Sequence, residues 1–152
     1  MKTTMNNESP SELDLEIEAV QVSVYCNIIK DIIVAHKSLS IIKIASFSFI
    51  IKQRQKYTMR IFTAHNKTDL VLKFLSQAQG LFDDFCNQFP YILQAIDILV
   101  NANICEVHNG ELLYIGSHKC SYTKFDSFTE SALQESQNYT DRQFLREMIR
   151  IV

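Results

Sequence analysis

The chain has 152 residues, of which 47% are hydrophobic, and its formal net charge is -2 at pH 7. This size and apolar content fit one domain with a real core, while the near-neutral charge argues against a protein that coats nucleic acid by itself. The longest apolar run, residues 41–51, is broken by Lys43 and is shorter than the roughly 20 residues that a bilayer-spanning helix needs.

Residues 1–9 are predicted to be a disordered leader. Residues 1–10 are polar and lack the apolar stretch of a secretion signal. We therefore expect a cytoplasmic protein that does not enter a membrane. Its four cysteines form no CxxC pair and are predicted to be reduced and mostly buried.

The first predicted helix covers residues 10–37. The segment Ser9-Pro10-Ser11-Glu12 has the pattern of a capping box with proline at the first helical position. Apolar residues then recur three or four positions apart: Leu13, Ile17, Val20, Val24, Ile28 and Ile32. A helix of this length in so small a protein is predicted to extend and pack against something.

The second predicted helix, about 40–53, is apolar almost all round, so most of its sides must be covered. One interpretation is that an obligate partner supplies the cover. The other is that this is the central helix of the chain's own core. The first interpretation predicts five partner-binding residues: Ile41, Ile44, Phe47, Phe49 and Ile51.

A winged-helix-like core is predicted over residues 39–116. After the second helix, Tyr57–Thr63 is rich in residues that suit a strand. Thr68-Asp69 can cap another helix, and Leu81–Phe89 forms a further short helical piece. The order helix, strand, helix, helix, hairpin is that of a winged helix.

The hairpin of this core is the strongest local signal. A helix begins at Pro90 and stops at Asn101 to Asn103, because asparagine tolerates the left-handed turn that ends many helices. Two short strands follow, Ile104–His108 and Glu111–Ile115. Asn109-Gly110 joins them, and this dipeptide favours a type I′ turn because both residues accept positive φ.

Two C-terminal helices are predicted within residues 127–152, because Ser127–Glu130 and Thr140–Gln143 have the capping-box pattern. The last helix carries an apolar stripe that includes Phe144 and Met148. Arginines four apart lie beside it: Arg142, Arg146 and Arg150. This helix can dock on a partner through Phe144 and Met148, or pack back on its own domain. In all, the sequence predicts a mainly α fold in one domain, residues 1–152.

Two segments of the sequence bear on nucleic-acid contact. The helix that would enter a major groove, Tyr91–Val100, contains no lysine or arginine and carries Asp97, whereas base readers are usually cationic or amide side chains. Residues 41–67 hold six bases and no acid. Possible contacts to a nucleic-acid backbone are therefore Lys52, Arg54, Lys56 and Arg60. The alternative is that these bases form a solvated edge.

No chemical motif points to catalysis. Cys105, His108, His118 and Cys120 lie within sixteen residues, but the predicted hairpin separates them too far to share one zinc ion. There is no glycine-rich phosphate loop and no nucleophile elbow. We therefore expect no metal, no cofactor and no enzymatic activity.

The sequence resembles the small middle components of ABC-three-component systems, a group that includes the small subunit of Lamassu-type anti-phage defence. The resemblance lies in three stretches: the apolar front half from Val20 to Ile51, the segment NKTDLVLKFLSQAQGLFDDFCNQFPYILQAIDILVNANICEVHNGELLYI, and the ending NYTDRQFLREMIRIV. It implies a non-catalytic subunit that binds an SMC- or Rad50-like ATPase and connects it to an effector, often a nuclease. Non-specific DNA contact within such a complex is compatible with it. The alternative function is a free-standing winged-helix DNA-binding transcription regulator that dimerises through its first helix.

Overall fold

A computed structural model describes residues 10–56, 70–116 and 121–151. These ranges contain six helices and three short strands. In chain order, the elements are α1 (Glu12–His36), β1 (Ser38–Ser40), α2 (Ile41–Lys56), α3 (Leu70–Ser76), α4 (Phe82–Asn101), β2 (Cys105–His108), β3 (Glu111–Tyr114), α5 (Ser127–Ser136) and α6 (Asp141–Ile151). The predicted mainly helical fold with a β-hairpin is confirmed. The predicted leader and the strand at Tyr57–Thr63 lie outside the described residues.

The helix α1 begins two residues later than the capping pattern predicts. Its N-cap is Ser11, whose hydroxyl accepts a hydrogen bond from the Asp14 amide at 3.2 Å, while the Asp14 carboxylate accepts one from the Ser11 amide at 3.2 Å. The helix ends at His36, because Lys37 adopts a φ of 67°. The predicted end of the helix is therefore confirmed to within one residue.

The three strands form an antiparallel sheet in the order β1-β3-β2. The hairpin of β2 and β3 is the predicted one, and its turn residues Asn109 and Gly110 have φ values of 50° and 77°. The strand β1 pairs with β3, with Leu39 opposite Leu112. Just after β1, the Ile41 amide at the start of α2 donates to the Gly110 carbonyl at 2.9 Å. The Tyr114 amide donates to the Lys37 carbonyl at 2.8 Å. The sequence did not predict β1, which is only three residues long.

The helix α4 is continuous across Pro90, although the sequence predicts a break there. Phe85 and Phe89 before the proline pack against the core, and Ile92 after it is fully buried. This packing on both sides of the proline overrides the local tendency of its ring to end a helix.

Side-chain caps begin both C-terminal helices. The N-cap of α5 is Asp126, one residue before the predicted Ser127, and its carboxylate accepts from the Thr129 amide at 3.1 Å. The predicted box at α6 is confirmed, because Thr140 and Gln143 exchange hydrogen bonds: the Gln143 side chain accepts from the Thr140 amide at 2.9 Å, and the Thr140 hydroxyl accepts from the Gln143 amide at 3.2 Å.

The core surrounds α2. The helices α1, α3, α4 and α6 all pack against it, and the Phe47 ring stacks on Phe74 at 4.6 Å and lies 6.0 Å from Phe144. The lone strand β1 sits between α1 and α2 and pairs with the second strand of the hairpin. The described residues thus form a helical core with a three-stranded antiparallel sheet, and the long helix α1 packs against α2 and α4 of this core.

Candidate protein-docking surface

The side chains predicted to contact a partner through α2 lie inside this chain. Ile44, Phe47, Phe49 and Ile51 are buried, and Ile41 is half-buried. The neighbouring helices supply the cover that the sequence left open, so the apolar character of α2 needs no partner to explain it. The structure thus corrects this expectation in favour of the alternative, a central helix in its own core.

The helix α6 also packs back on the domain. Phe144 and Met148 are buried, and the Ser46 hydroxyl of α2 donates to the Met148 sulfur at 3.1 Å. These two side chains therefore face α2 and do not form an exposed docking stripe. Ile149 on the same helix remains mostly exposed.

Lys52 is engaged within the fold rather than pointing at a phosphate. Its ammonium group donates to the Gln88 side-chain oxygen of α4 at 2.7 Å and to that of Gln21 on α1. It also lies 4.5 Å from the centre of the Tyr25 ring, a cation–π contact. The charge of Lys52 thus ties α2 to α1 and α4, which opposes its predicted role as a DNA contact.

Arg54 has a comparable structural role at the other side of α2. Its guanidinium donates to the Asp126 carboxylate at 3.1 Å and to the Thr129 hydroxyl at 2.5 Å. Burial by itself would raise the pKa of Asp126, but hydrogen bonds from Thr129 and the charge of Arg54 outweigh it and lower that pKa. The side chain of Lys56 and the whole of Arg60 lie outside the described residues, so their predicted DNA contacts stay predictions.

Replacing Asp126 by alanine is expected to lower the free energy of unfolding by about 1–2 kcal/mol, because α5 loses its N-cap oxygen and Arg54 loses its partner. Chemical denaturation measures the change. Asp126→Asn is the matched control, since asparagine keeps a capping oxygen and is expected to retain most of the stability. An alanine variant as stable as the parent protein would contradict the capping role.

The outward face of α4 carries no lysine or arginine. Its exposed residues include Leu93, Asp97 and Ile98, and Asp83 and Asp84 lie in its first turn. A duplex presents closely spaced phosphate charges, so these carboxylates oppose docking of α4 into a major groove. Exposed apolar side chains suit contact with another protein.

The N-terminal part of α1 is the most apolar exposed segment in the described structure. Leu13 is 64% exposed, Ile17 51% and Val20 62%. All residues from 11 to 20 are exposed except Glu18, which is half-buried. The sequence predicted these apolar residues to be a packing face. The structure shows that the fold covers only the later part of the same helix.

Two apolar grooves adjoin these elements. The first, of about 460 Å³, runs between α1 and α4. Its apolar walls come from Leu15, Ala19, Val22, Cys26 and Ile98. The second, of about 300 Å³, lies between α2, the start of α4 and α6. Three phenylalanines of α4 line this second groove: Phe82, Phe85 and Phe89.

Other kinds of site have little support in the described part of the chain. No group of three or more histidine, cysteine, aspartate or glutamate side chains there could hold a metal ion. Cys105 is buried, while His118 and Cys120 lie outside the described ranges. Nor do those ranges include a helix with the length and apolarity needed to cross a membrane.

Comparisons with protein-family models, with curated proteins and with solved structures find no match to this chain.

Proposed function

We propose that this chain is a non-catalytic interaction subunit of a cytoplasmic anti-phage defence complex, in which it joins an SMC- or Rad50-like ATPase to a nuclease-type effector. The observation that carries the proposal is the exposed apolar stripe formed by Leu13, Ile17 and Val20 on α1. Exposed apolar surface of this kind is typical of protein interfaces. The class of partner comes from the resemblance of the sequence to middle components of ABC-three-component systems.

The charge of α4 supports a protein partner over direct reading of DNA. A winged-helix regulator needs cationic or amide side chains on the helix that enters the groove. Within Tyr91–Val100 only Gln94 is of this kind, and Asp97 lies between the exposed Leu93 and Ile98. The proposal also assigns no phosphate contact to Lys52 or Arg54, because both side chains already bind groups of this chain.

The test is to express the chain together with an SMC- or Rad50-like ATPase encoded beside its gene and to measure their affinity. Replacing Leu13, Ile17 and Val20 together by serine is expected to weaken binding at least about tenfold, because a few apolar anchors carry most of the energy of an interface. All three side chains are exposed, so the circular dichroism spectrum should be unchanged.

The matched control replaces three exposed apolar residues elsewhere by serine: Val107, Ile115 and Ile149. This variant is expected to bind the ATPase as the parent protein does. A soluble parent protein that ignores the ATPase would contradict the proposed function, and equal weakening in both triple variants would contradict the location of the surface.

A further inference from the structure

The exposed stripe on α1 has the spacing of a coiled-coil seam. Leu13, Ile17, Val20 and Val24 follow one another at intervals of four, three and four residues, which is the alternation of the two apolar positions in a heptad. The first three are more than half exposed, and Val24 is half-buried. We name these four residues the α1 seam.

The first three residues of the α1 seam face away from the body of the protein, while Val24 at its end packs against the core. Successive residues of a helix are about 100° apart, so Leu13 and Ile17 lie about half a turn round the helix from the buried Val22 and Ile29. The groove between α1 and α4 is lined by Val22 and Leu15, and so lies on the other side of the helix. The described part of the fold therefore leaves Leu13, Ile17 and Val20 uncovered, and another molecule would have to cover them.

The seam is also limited in length. The next two positions at the same spacing are Asn27 and Asp31, which are polar. The apolar part thus spans residues 13–24, which is about 18 Å of helix at 1.5 Å per residue. This length accommodates about three turns of a second helix.

Both flanks of the seam are acidic. Glu12 and Glu16 lie on one flank and Asp14 lies on the other, while Glu18 borders the groove between α1 and α4. The first lysine or arginine of α1 is Lys30, which follows the end of the seam. Charges beside a coiled-coil seam decide which helices pair, because like charges repel and opposite charges attract.

These charges distinguish between two occupants. A second copy packed in parallel would bring these three carboxylates against their own counterparts, whereas a basic helix would neutralise them. We infer that the α1 seam instead binds a basic amphipathic helix of a different polypeptide, which packs apolar residues on the seam and places lysines or arginines beside its acidic flanks. This inference rests on the proposed function, since it specifies the partner that docks at the same surface.

The experiment uses two synthetic helical peptides of about three heptads with identical leucine seams. One carries lysine at the flanking positions and the other carries glutamate. Each labelled peptide is titrated with the full-length protein, and fluorescence anisotropy gives the dissociation constant. The lysine peptide is expected to bind at least about tenfold more tightly than the glutamate peptide, because its charges complement those of α1.

Charge reversal provides the sharper comparison. The variant Glu12→Lys, Glu16→Lys is expected to prefer the glutamate peptide. The control variant Asp84→Lys, Glu106→Lys changes exposed acids away from the seam and is expected to keep the original preference.

Three results would overturn the inference: equal affinity for the two peptides, no effect of the charge reversal, or self-association of the parent protein that the serine variant of the seam abolishes. The peptide assay is independent of the ATPase. A lysine peptide that binds while the ATPase does not would therefore support the inference and contradict the proposed partner. An ATPase that binds through α1, while the two peptides bind with equal affinity, would support the proposed partner and contradict the inference of a basic helix.

Discussion

Replacing Phe47 by alanine is expected to lower the free energy of unfolding by about 3–5 kcal/mol, the usual range for a phenylalanine removed from a core. The Phe47 side chain has no solvent exposure and stacks on Phe74 from α3 and Phe144 from α6. Its removal leaves a cavity where three helices meet. The backbone of α2 cannot close this cavity, because its other residues are held by packing on α1 and α4.

Urea denaturation of the two-state transition measures this loss. Phe82→Ala is the matched control, because it makes the same change at a side chain that is half exposed, and it is expected to cost less than about 1 kcal/mol. Equal losses in the two variants would contradict the central position of α2. The later part of α1 packs against α2 and α4 in this core, so the core also fixes the position from which the exposed N-terminal part of α1 extends.

Much of the fold could be predicted because its signals are local. The turn at Asn109-Gly110 requires positive φ at both residues, which few other dipeptides accept, and the hairpin is present. The Thr140–Gln143 capping box begins α6 as predicted. Local signals do not predict an element correctly when it is very short or when tertiary packing determines its extent. The strand Ser38–Ser40 is too short to show an alternating pattern, and α4 continues through Pro90 because packing holds it.

The candidate site was harder to predict because an apolar residue shows that it needs cover, not which residues cover it. Phe49 and Leu13 look equally apolar in the sequence, yet Phe49 is buried among neighbouring helices and Leu13 is mostly exposed. The heptad spacing and flanking acids of α1 were visible, but only the structure shows where its cover ends.

The partners of the basic residues could not be predicted from the sequence either. Lys52 and Arg54 lie in a stretch without acids, which favours a nucleic-acid contact. Their partners, Gln88 and Asp126, are 36 and 72 positions further along the chain. A sequence pattern that counts neighbouring charges does not detect pairs separated by that distance.

The second large effect is a loss of stability in alkaline solution. Burial raises the pKa of the Cys105 thiol from 9.0 to about 11, and burial also raises the pKa of the Tyr25 hydroxyl above its ordinary value of 10.0. The folded state thus holds both protons at pH values where the unfolded chain releases them. Stability from these groups is complete below pH 9 and is lost as the pH rises, first through Cys105 and from pH 10 also through Tyr25.

Urea denaturation in a series of buffers from pH 7 to about pH 11 is expected to show this decline. Cys105→Ala removes the thiol and should make the decline shallower between pH 9 and 11, while Tyr25→Phe should make it shallower above pH 10. Lys43 acts in the opposite direction, because burial lowers its pKa and deprotonation at high pH relieves the cost of its buried charge. The comparison of each variant with the parent protein separates these contributions, since Lys43 is present in all of them. An unchanged slope in both variants would show that neither buried proton contributes to the alkaline transition.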